Sequence, residues 1–346
     1  MALVEIDVEG IKKNLYVDTR LWDRIQRKIL PKIQQKDNDW VWIVDGSEGV
    51  GKCQPKDSKV MMADGSYKNI QDIRISDTIL SPQEDGSYIF APVIEVHNWF
   101  SKEIYNIFEL RRQKRKLYSC AYNHEIPINV KIGKYWKIKN YEAEELYKKS
   151  NDFMINSTSI SMPSINQFKD RQNCEIEPYC LGVWLGDGHF RSSFNKINHK
   201  SRCLGITSNH FEVIEEVSKF YPIMNVQKKQ DTTAKSYLFS LNGEFSNLLS
   251  KYKLEGKKSG TKFIPKEALL SNVDYRKRLL AGIIDTDGYL SNNQSYSICT
   301  KSEQLAKDIE FLIYSLGGRG QIRKIKKSIK KIGFSGTYFN ISFYLG

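Results

Sequence analysis

The chain has 346 residues, enough for two or three domains, and its 40% apolar content suffices to fill their cores. Lys and Arg outnumber Asp and Glu by 53 to 40, a formal charge of +13, and 12% of residues are aromatic, which favours a polyanionic partner, nucleic acid before membrane. The opening MALVEIDVEG is no secretory signal, no apolar run is long enough to span a bilayer, and the six cysteines (53, 120, 174, 180, 203 and 299) show no metal-ligand spacing, so a reduced, cytoplasmic setting is expected.

Residues 1–52 begin with a mixed segment and a helix-prone stretch near Leu21 to Gln35. The run Trp40-Val41-Trp42-Ile43-Val44 then reads as a buried strand entering a glycine loop. Gly46, Gly49, Gly51 and Lys52 have the GxxxxGK spacing of a phosphate-binding P-loop. That motif needs Ser or Thr next, then a helix whose first N–H groups hold phosphate. Here Cys53 follows, then Gln54-Pro55-Lys56-Asp57-Ser58 and a β-hairpin pattern around Asp64-Gly65. The segment is expected to be an α/β P-loop fragment whose helical half is missing.

From Cys53 to Asn156 the chain alternates short β-prone runs with turn signals at Asp64-Gly65, Asp85-Gly86 and Ile132-Gly133-Lys134, which predicts an all-β domain over 53–156. Residues 157–173, with Pro163, read as a polar connector.

Residues 174–346 contain an internal repeat, CLGVWLGDG (180–188) and LAGIIDTDG (280–288). Each copy precedes β-prone sequence, a helix-capping pattern (Asn209 to Glu212, Thr300 to Glu303) and a second β-prone, basic stretch. Two αββαββ units related by a pseudo-twofold are predicted, an α+β domain in which one chain forms an internal pseudo-dimer, so a monomer is expected. Within each motif Gly182 and Gly186, or Gly282 and Thr286, share one helical face, where two backbones can approach closely. Each helix ends in an aspartate, Asp187 or Asp287, before Gly188 or Gly288 as a left-handed stop. A carboxylate at a helix C-terminus faces the negative end of the macrodipole and costs a few tenths to about 1 kcal/mol. Divalent cations would offset that cost and the mutual repulsion, and Mg²⁺ prefers such oxygen ligands.

The two motifs resemble the paired LAGLIDADG signatures of DOD-type homing endonucleases, and KFIPKEALLSNVDYRKRLLAGIIDTDGYL (262–290) resembles that family's approach to its second motif. The resemblance implies Asp187 and Asp287 as metal-binding catalytic acids, Mg²⁺ as cofactor and Lys262 as an active-centre lysine. The first motif carries Cys180, Trp184 and Leu185 where Leu, Ile and Asp are usual. It also implies β-hairpin saddles on double-stranded DNA. Residues 319–331 hold Arg319, Arg323, Lys324, Lys326, Lys327, Lys330 and Lys331 with no acid, which suits phosphate contacts. The recurrence of Ile322, Ile325, Ile329 and Ile332 also fits an amphipathic basic helix, whereas the repeat and the following YFNISFY favour a strand.

Such endonucleases are often carried in inteins, and CQPKDSKVMMADGSYKNIQDIRISDTIL resembles the opening block of the Hint (Hedgehog/intein) fold, with Cys53 as nucleophile. KLYSCAYNHEIPI (116–128) resembles the second splicing block, with His124 as its histidine and Ala121 where Thr is usual. The chemistry implied is an N-to-S acyl shift in which the Cys53 sulfur attacks the Lys52 carbonyl and a histidine protonates the departing nitrogen. The break in the P-loop then marks an intein inserted into a host NTPase. The chain ends within the second repeat's hairpin region, before a last helix and the C-terminal splicing blocks, so complete splicing is not expected of it. The DNA target implied is the intein-less host gene site. A DNA-binding protein with decayed nuclease activity, and a P-loop NTPase with an insertion, are the alternative readings.

Overall fold

A computed structural model of the protein describes residues 2–8, 11–17, 31–36, 39–46, 54–82, 88–101, 103–109, 115–149, 157–159, 164–194, 200–228, 233–291, 295–329 and 334–345. The chain divides into two compact units, Met1–Ser161 and Met162–Gly346. Among the described residues, no helix is long and apolar enough to cross a membrane.

The first unit is built of short strands: β1 (Ala2–Val8), β2 (Ile11–Val17), β3 (Pro31–Lys36), β4 (Asp39–Gly46), β5 (Gln54–Pro55), β6 (Lys59–Met61), β7 (Tyr67–Asn69), β8 (Thr78–Pro82), β9 (Tyr88–Ser101), β10 (Ile104–Glu109), β11 (Arg115–Ala121), β12 (Glu125–Ile132), β13 (Tyr135–Glu142) and β14 (Ser157–Ser159). The helix α1 (Ala143–Lys148) follows β13. The expected Asp64-Gly65 hairpin joins β6 to β7: Gly65 has φ +77°, and the Asp64 carboxylate accepts from the Ser66 N–H at 2.9 Å. Two small cores form, one around Ile70, Ile73 and Ile79 and the other around Ile107, Cys120, Ile126 and Ile128.

The helix expected from Leu21 to Gln35 is not found in its described part, where β3 pairs antiparallel with β10. The sheet order β11-β10-β3 puts β3 on an edge, where Pro31, lacking an N–H, is tolerated at the start of a strand. The strand entering the glycine loop, β4, pairs antiparallel with both β5 and β9. A P-loop strand belongs to a parallel, helix-covered sheet, so the expected α/β fragment is replaced here by antiparallel pairing with strands of 53–156. Gly46 closes β4, whereas Gly49, Gly51, Lys52 and Cys53 lie outside the described residues.

The second unit repeats one topology. Its first half is α2 (Pro178–Asp187), β15 (Gly188–Phe194), β16 (Lys200–Ser208), α3 (Phe211–Ser218), β17 (Ile223–Lys228), β18 (Lys235–Phe239) and α4 (Glu244–Lys251). Its second is α5 (Lys266–Leu269), α6 (Val273–Asp287), β19 (Gly288–Leu290), β20 (Tyr296–Thr300), α7 (Glu303–Ser315), β21 (Arg319–Ile329) and β22 (Phe334–Tyr344). The sheets run β15-β16-β18-β17 and β19-β20-β22-β21, the same order twice. Residues 319–329 are therefore strand, in unbroken register with β22, and not the amphipathic helix that their isoleucine spacing also allowed. The expected caps also shift. Ser302 caps α7, accepting from the Leu305 N–H at 3.2 Å, and the Thr300 hydroxyl accepts from the Ser302 N–H.

One hydrophobic core spans both halves, and α2 crosses α6 inside it with backbones in contact. A Cβ placed on Gly182 would lie 2.9 Å from Gly282 Cα and from Ile283 N, and would meet the Leu279 carbonyl. A Cβ on Gly282 would lie 2.9 Å from Val183 N and meet the Tyr179 carbonyl, the mirror set of partners. Residues 164–173, expected to be part of a connector, are integral to this unit. Phe168 is fully buried and stacks on Phe311, and the buried Arg276 guanidinium donates to the carbonyls of Ile165, Ser271 and Ser315.

Gly182→Ala is expected to lower the unfolding free energy by about 1–3 kcal/mol, because backbone atoms cannot move aside as side chains do. Gly260→Ala, whose added methyl would find its first neighbour at 3.8 Å, should stay within about 0.5 kcal/mol of the parent. Urea titrations of the two variants measure both.

Candidate active site at the paired helix ends

The glycine crossing fixes where α2 and α6 end. Gly188 and Gly288 cap them with N–H groups bonded to the Trp184 and Ile284 carbonyls. Their φ values, −74° and −86°, are ordinary extended backbone, so the expected left-handed stop is not what requires glycine. Space is: a Cβ on Gly188 would sit 2.5 Å from Trp184 Cγ, and one on Gly288 2.7 Å from Ile284 Cα.

Thr286 turns its hydroxyl back onto the Gly282 and Ile283 carbonyls, both at 3.1 Å, and a Cβ on Gly186 would lie 2.7 Å from its Cβ and 3.5 Å from Asp287 Oδ2. Asp287 thus lies against the residue that precedes Asp187. Its carboxyl is pushed up to about 6, first by burial and then by the Asp187 charge, with Lys262 and Lys327 pulling the other way. Two acids held this way match the one or two carboxylates with which proteins hold Mg²⁺ beside substrate phosphate. Among the described residues no group of three or more His, Cys, Asp and Glu is poised to hold a metal, so a cation here would draw its other ligands from water, backbone or substrate.

Lys262 is buried, and its Nζ faces the carbonyl oxygens of Trp184 (2.8 Å), Leu185 (3.0 Å), Gly186 (3.2 Å) and Gly188 (2.7 Å). An ammonium has three donors, so four acceptors saturate it. The side chain therefore caps the negative end of α2 and lies 4.8 Å from the centre of the Trp184 ring. Burial pushes its pKa down to about 8, while Asp287 and Asp187 oppose the shift. The lysine's backbone is clamped by α7: the Ser302 hydroxyl donates to the Lys262 carbonyl at 2.6 Å, and the Ile264 N–H donates to Asp308 at 2.9 Å. Asp308 is buried on α7 and was missed in the sequence, although a lone acid on the stripe of Leu305, Ile309 and Leu312 was a readable signal.

Two further groups flank the aspartates without having been anticipated there. His189, two residues beyond Asp187, places Nε2 3.8 Å from Cys203 Sγ and 3.5 Å from Ser236 Oγ. Lys327 is held protonated above its ordinary range by the Cys299 side chain and the Asp287 charge, and sits 5.2 Å from the Tyr338 ring centre.

Strand alternation divides the expected DNA-contacting residues. Ile322 packs against the core, and a Cβ on Gly320 would meet Ile313 of α7, so Lys324 and Lys326 share the helix-facing side of β21. Arg319, Arg323 and Lys327 share the opposite face, in register with β22, whose Asn340 bonds to Ser297 at 2.9 Å and to Ser342 at 3.2 Å. Lys330 and Lys331 lie outside the described residues.

In the first unit, His124 is buried in the turn between β11 and β12, its ring edge-on to Tyr118 at 6.0 Å. Ala121 is fully buried, and the neighbouring Asn123 has a buried Oδ1 with no hydrogen-bond partner among the described residues. With Cys53 outside the described residues, its position relative to His124 is not part of this geometry.

Residues 274–341 match the family model described as a LAGLIDADG-like domain. Over 89% of its length the chain is 26% identical to a replication factor C small subunit from Methanocaldococcus jannaschii, and over 51% it is 28% identical to a replicative DNA helicase DnaB from Mycobacterium intracellulare. It spans only 16% and 24% of those relatives' own lengths. Among solved structures, mesophilic variants of the homing endonuclease I-DmoI align with 49% of this chain and 88% of theirs, at 17% identity and a TM-score of 0.35. The meganuclease I-SmaMI bound to DNA aligns with 49% of this chain and 78% of its own, at 15% identity and a TM-score of 0.32.

Because the Asp287 carboxyl binds its proton more tightly folded than unfolded, this group's contribution to stability falls as pH rises from about 4 through about 6. In chelator, Asp287→Asn should melt above the parent at pH 7.5, and the difference should shrink toward pH 4. Thermal melts across that range check the sign.

Proposed function

We propose that residues 174–346 form a site-specific DNA endonuclease domain of the LAGLIDADG type, and that residues 53–156 are the N-terminal part of an intein splicing domain inserted after the Lys52 of a host NTPase. The observation that carries the endonuclease reading is the pair of aspartate-tipped helices, locked through reciprocal glycine contacts so that the Asp287 carboxyl is pushed up by burial and by the charge of Asp187. A fold gains nothing from placing two carboxylates together at negative helix ends. The family match at 274–341 supports the same reading.

In this reading Asp187 and Asp287 hold divalent metal, Mg²⁺ in the cell, and Lys262 keeps the α2 end in place by saturating its carbonyls. The metal, when bound, supplies charge for activating water and for stabilising the leaving oxygen of a phosphodiester. Arg319, Arg323 and Lys327 offer cations to double-stranded DNA from one sheet face. The substrate proposed is the uninterrupted host gene site, cut in the cytoplasm by a monomer.

The splicing reading rests on the sequence around Cys53 and His124, and on the small share of each curated relative that the chain spans, as an insertion within a longer DNA-replication protein produces. The Cys53 thiol gives up its proton and its Sγ bonds to the Lys52 carbonyl carbon, the Lys52–Cys53 C–N bond breaks, and His124 delivers a proton to the freed nitrogen, so that one proton is lost and one gained. Dithiothreitol should then release a fragment ending at Lys52 from the parent chain and none from Cys53→Ala. The absence of that fragment from folded parent protein overturns the splicing step.

The nuclease reading is tested by incubating a plasmid bearing the uninterrupted P-loop coding site with protein and Mg²⁺. Double-strand cleavage is expected, and Asp187→Asn or Asp287→Asn should slow it roughly 10²–10³-fold while duplex binding persists. A site bound but uncut by the parent would instead assign a DNA-binding protein without nuclease activity.

A further inference from the structure

His189, Cys203 and Ser236 lie on three adjacent strands, β15, β16 and β18, and have no part in the activities proposed above. Their neighbours Phe190, Leu204 and Tyr237 are buried in the core, so strand alternation gathers the three side chains on the opposite face of the sheet. His189 is paired in register with Gly205, and a Cβ on that glycine would lie 2.9 Å from both Cε1 and Nε2 of the imidazole. The ring therefore rests against the β16 backbone, with Nε2 3.8 Å from Cys203 Sγ and 3.5 Å from Ser236 Oγ.

As hydrogen bonds these contacts are poor, because a good N–H···O contact closes to about 2.7–3.2 Å and a thiol is a weak donor. As ligand spacings they are good. Tetrahedral Zn²⁺ holds sulfur at about 2.3 Å, nitrogen at about 2.0–2.1 Å and oxygen at about 2.0–2.2 Å, which sets an N,S ligand pair about 3.6 Å apart and an N,O pair about 3.4 Å apart. Packing alone does not call for this trio. In the second half, Gly288 pairs with Ile298 as Gly188 does with Ile206, which puts Tyr289, Ser295 and Ser297 in the places of His189, Cys203 and Gly205. Tyr289 is 67% exposed there. One sheet topology thus forms twice, and the imidazole and thiol occur in one copy. Such donors suit Zn²⁺, whereas carboxylate and water oxygens suit Mg²⁺.

We infer that His189, Cys203 and Ser236 form a site for a thiophilic divalent cation, Zn²⁺, different in chemistry from the oxygen site at the paired aspartates. His189 Nε2 and the Cys203 thiolate are its two firm ligands, Ser236 Oγ is a third, and water completes the tetrahedron. Binding releases the thiol proton to solvent. A water in the fourth position makes this an open, exchangeable site and not a closed structural one. Nothing in it depends on the endonuclease reading, so it is tested without DNA.

The test titrates the full, reduced chain with Co²⁺, which occupies Zn²⁺ sites and reports a thiolate ligand by charge-transfer absorption in the near ultraviolet. The parent should show such a band, saturating at one Co²⁺ per chain, lost on adding Zn²⁺ and kept in a large excess of Mg²⁺. Cys203→Ser should remove the band. His189→Gln should weaken Co²⁺ binding at least about 10-fold, since loss of even an outer-shell partner costs that much. Cys53→Ser and Cys299→Ser should match the parent. No band from folded parent protein overturns the inference. A band that survives Cys203→Ser assigns the metal to another thiol, an affinity unchanged in His189→Gln removes the imidazole, and displacement by Mg²⁺ moves the ion to the aspartates; each overturns it as well. Should a variant fail to fold, X-ray absorption of the Zn²⁺-loaded parent decides: sulfur and imidazole scattering is expected, and an all-oxygen shell overturns the site. None of these outcomes alters the case for DNA cleavage by Asp187 and Asp287.

Discussion

The contact on which the second unit depends is the crossing of two backbones at Gly182 and Gly282, where no side chain intervenes. Helices whose crossing point carries side chains stand 8–10 Å apart. Removing the β-carbons at the crossing lets each helix approach the other's carbonyls, and the partners on the two sides correspond residue for residue. That correspondence makes the two halves of one chain behave as two copies of one unit. It also sets the separation of the helix ends, since rigid α-helices transmit the crossing geometry down to Asp187 and Asp287.

Close approach creates an electrostatic difficulty, and the surroundings of the helix ends show how it is met. The α2 end is neutralised from beneath by Lys262, whose four carbonyl partners leave it no donor for anything else. Among the described residues no lysine is bonded to the carbonyls of the α6 end; Thr286 bonds back to its own helix, and the Asp287 carboxylate feels Lys262 and, from the sheet, Lys327. Equivalent by topology, the two ends are inequivalent in charge. The clamp on Lys262 comes from Ser302 and Asp308 of α7, a helix that also packs on β21 and β22. The face proposed to meet DNA and the α2 terminus are therefore linked through one rigid element.

The repeated αββαββ pattern was readable because small residues and terminal aspartates recur with the same spacing, and a repeat is a global signal that survives local ambiguity. The strand over 319–329 needed that signal, since its isoleucines alone fit a helix. Other features were not readable, for reasons that lie in tertiary context. Residues 31–36 became an edge strand because β10 offered unpaired backbone groups to a segment whose own propensity favoured helix. Gly188 and Gly288 looked like left-handed caps, but their need for glycine comes from Trp184 and Ile284 in the preceding turn. Composition counted the basic residues of 319–331 together, whereas strand alternation puts Lys324 and Lys326 on the helix side. Lys262 was identified from a resemblance that gave no hint of its saturation by four carbonyls.

The burial of Arg276 bears on how the second unit could pass between proteins as a heritable module. Its guanidinium ties Ile165 to the ends of α7 and of the turn before α6, and Phe168 fills the space over Phe311. A gene segment opening at the first helix of the repeat would carry the buried guanidinium without its Ile165 acceptor, and without the Phe168 ring, while keeping those at Ser271 and Ser315. The transferable piece therefore has to begin upstream of Ser164. Its natural seam lies among residues that sequence composition would discard as linker.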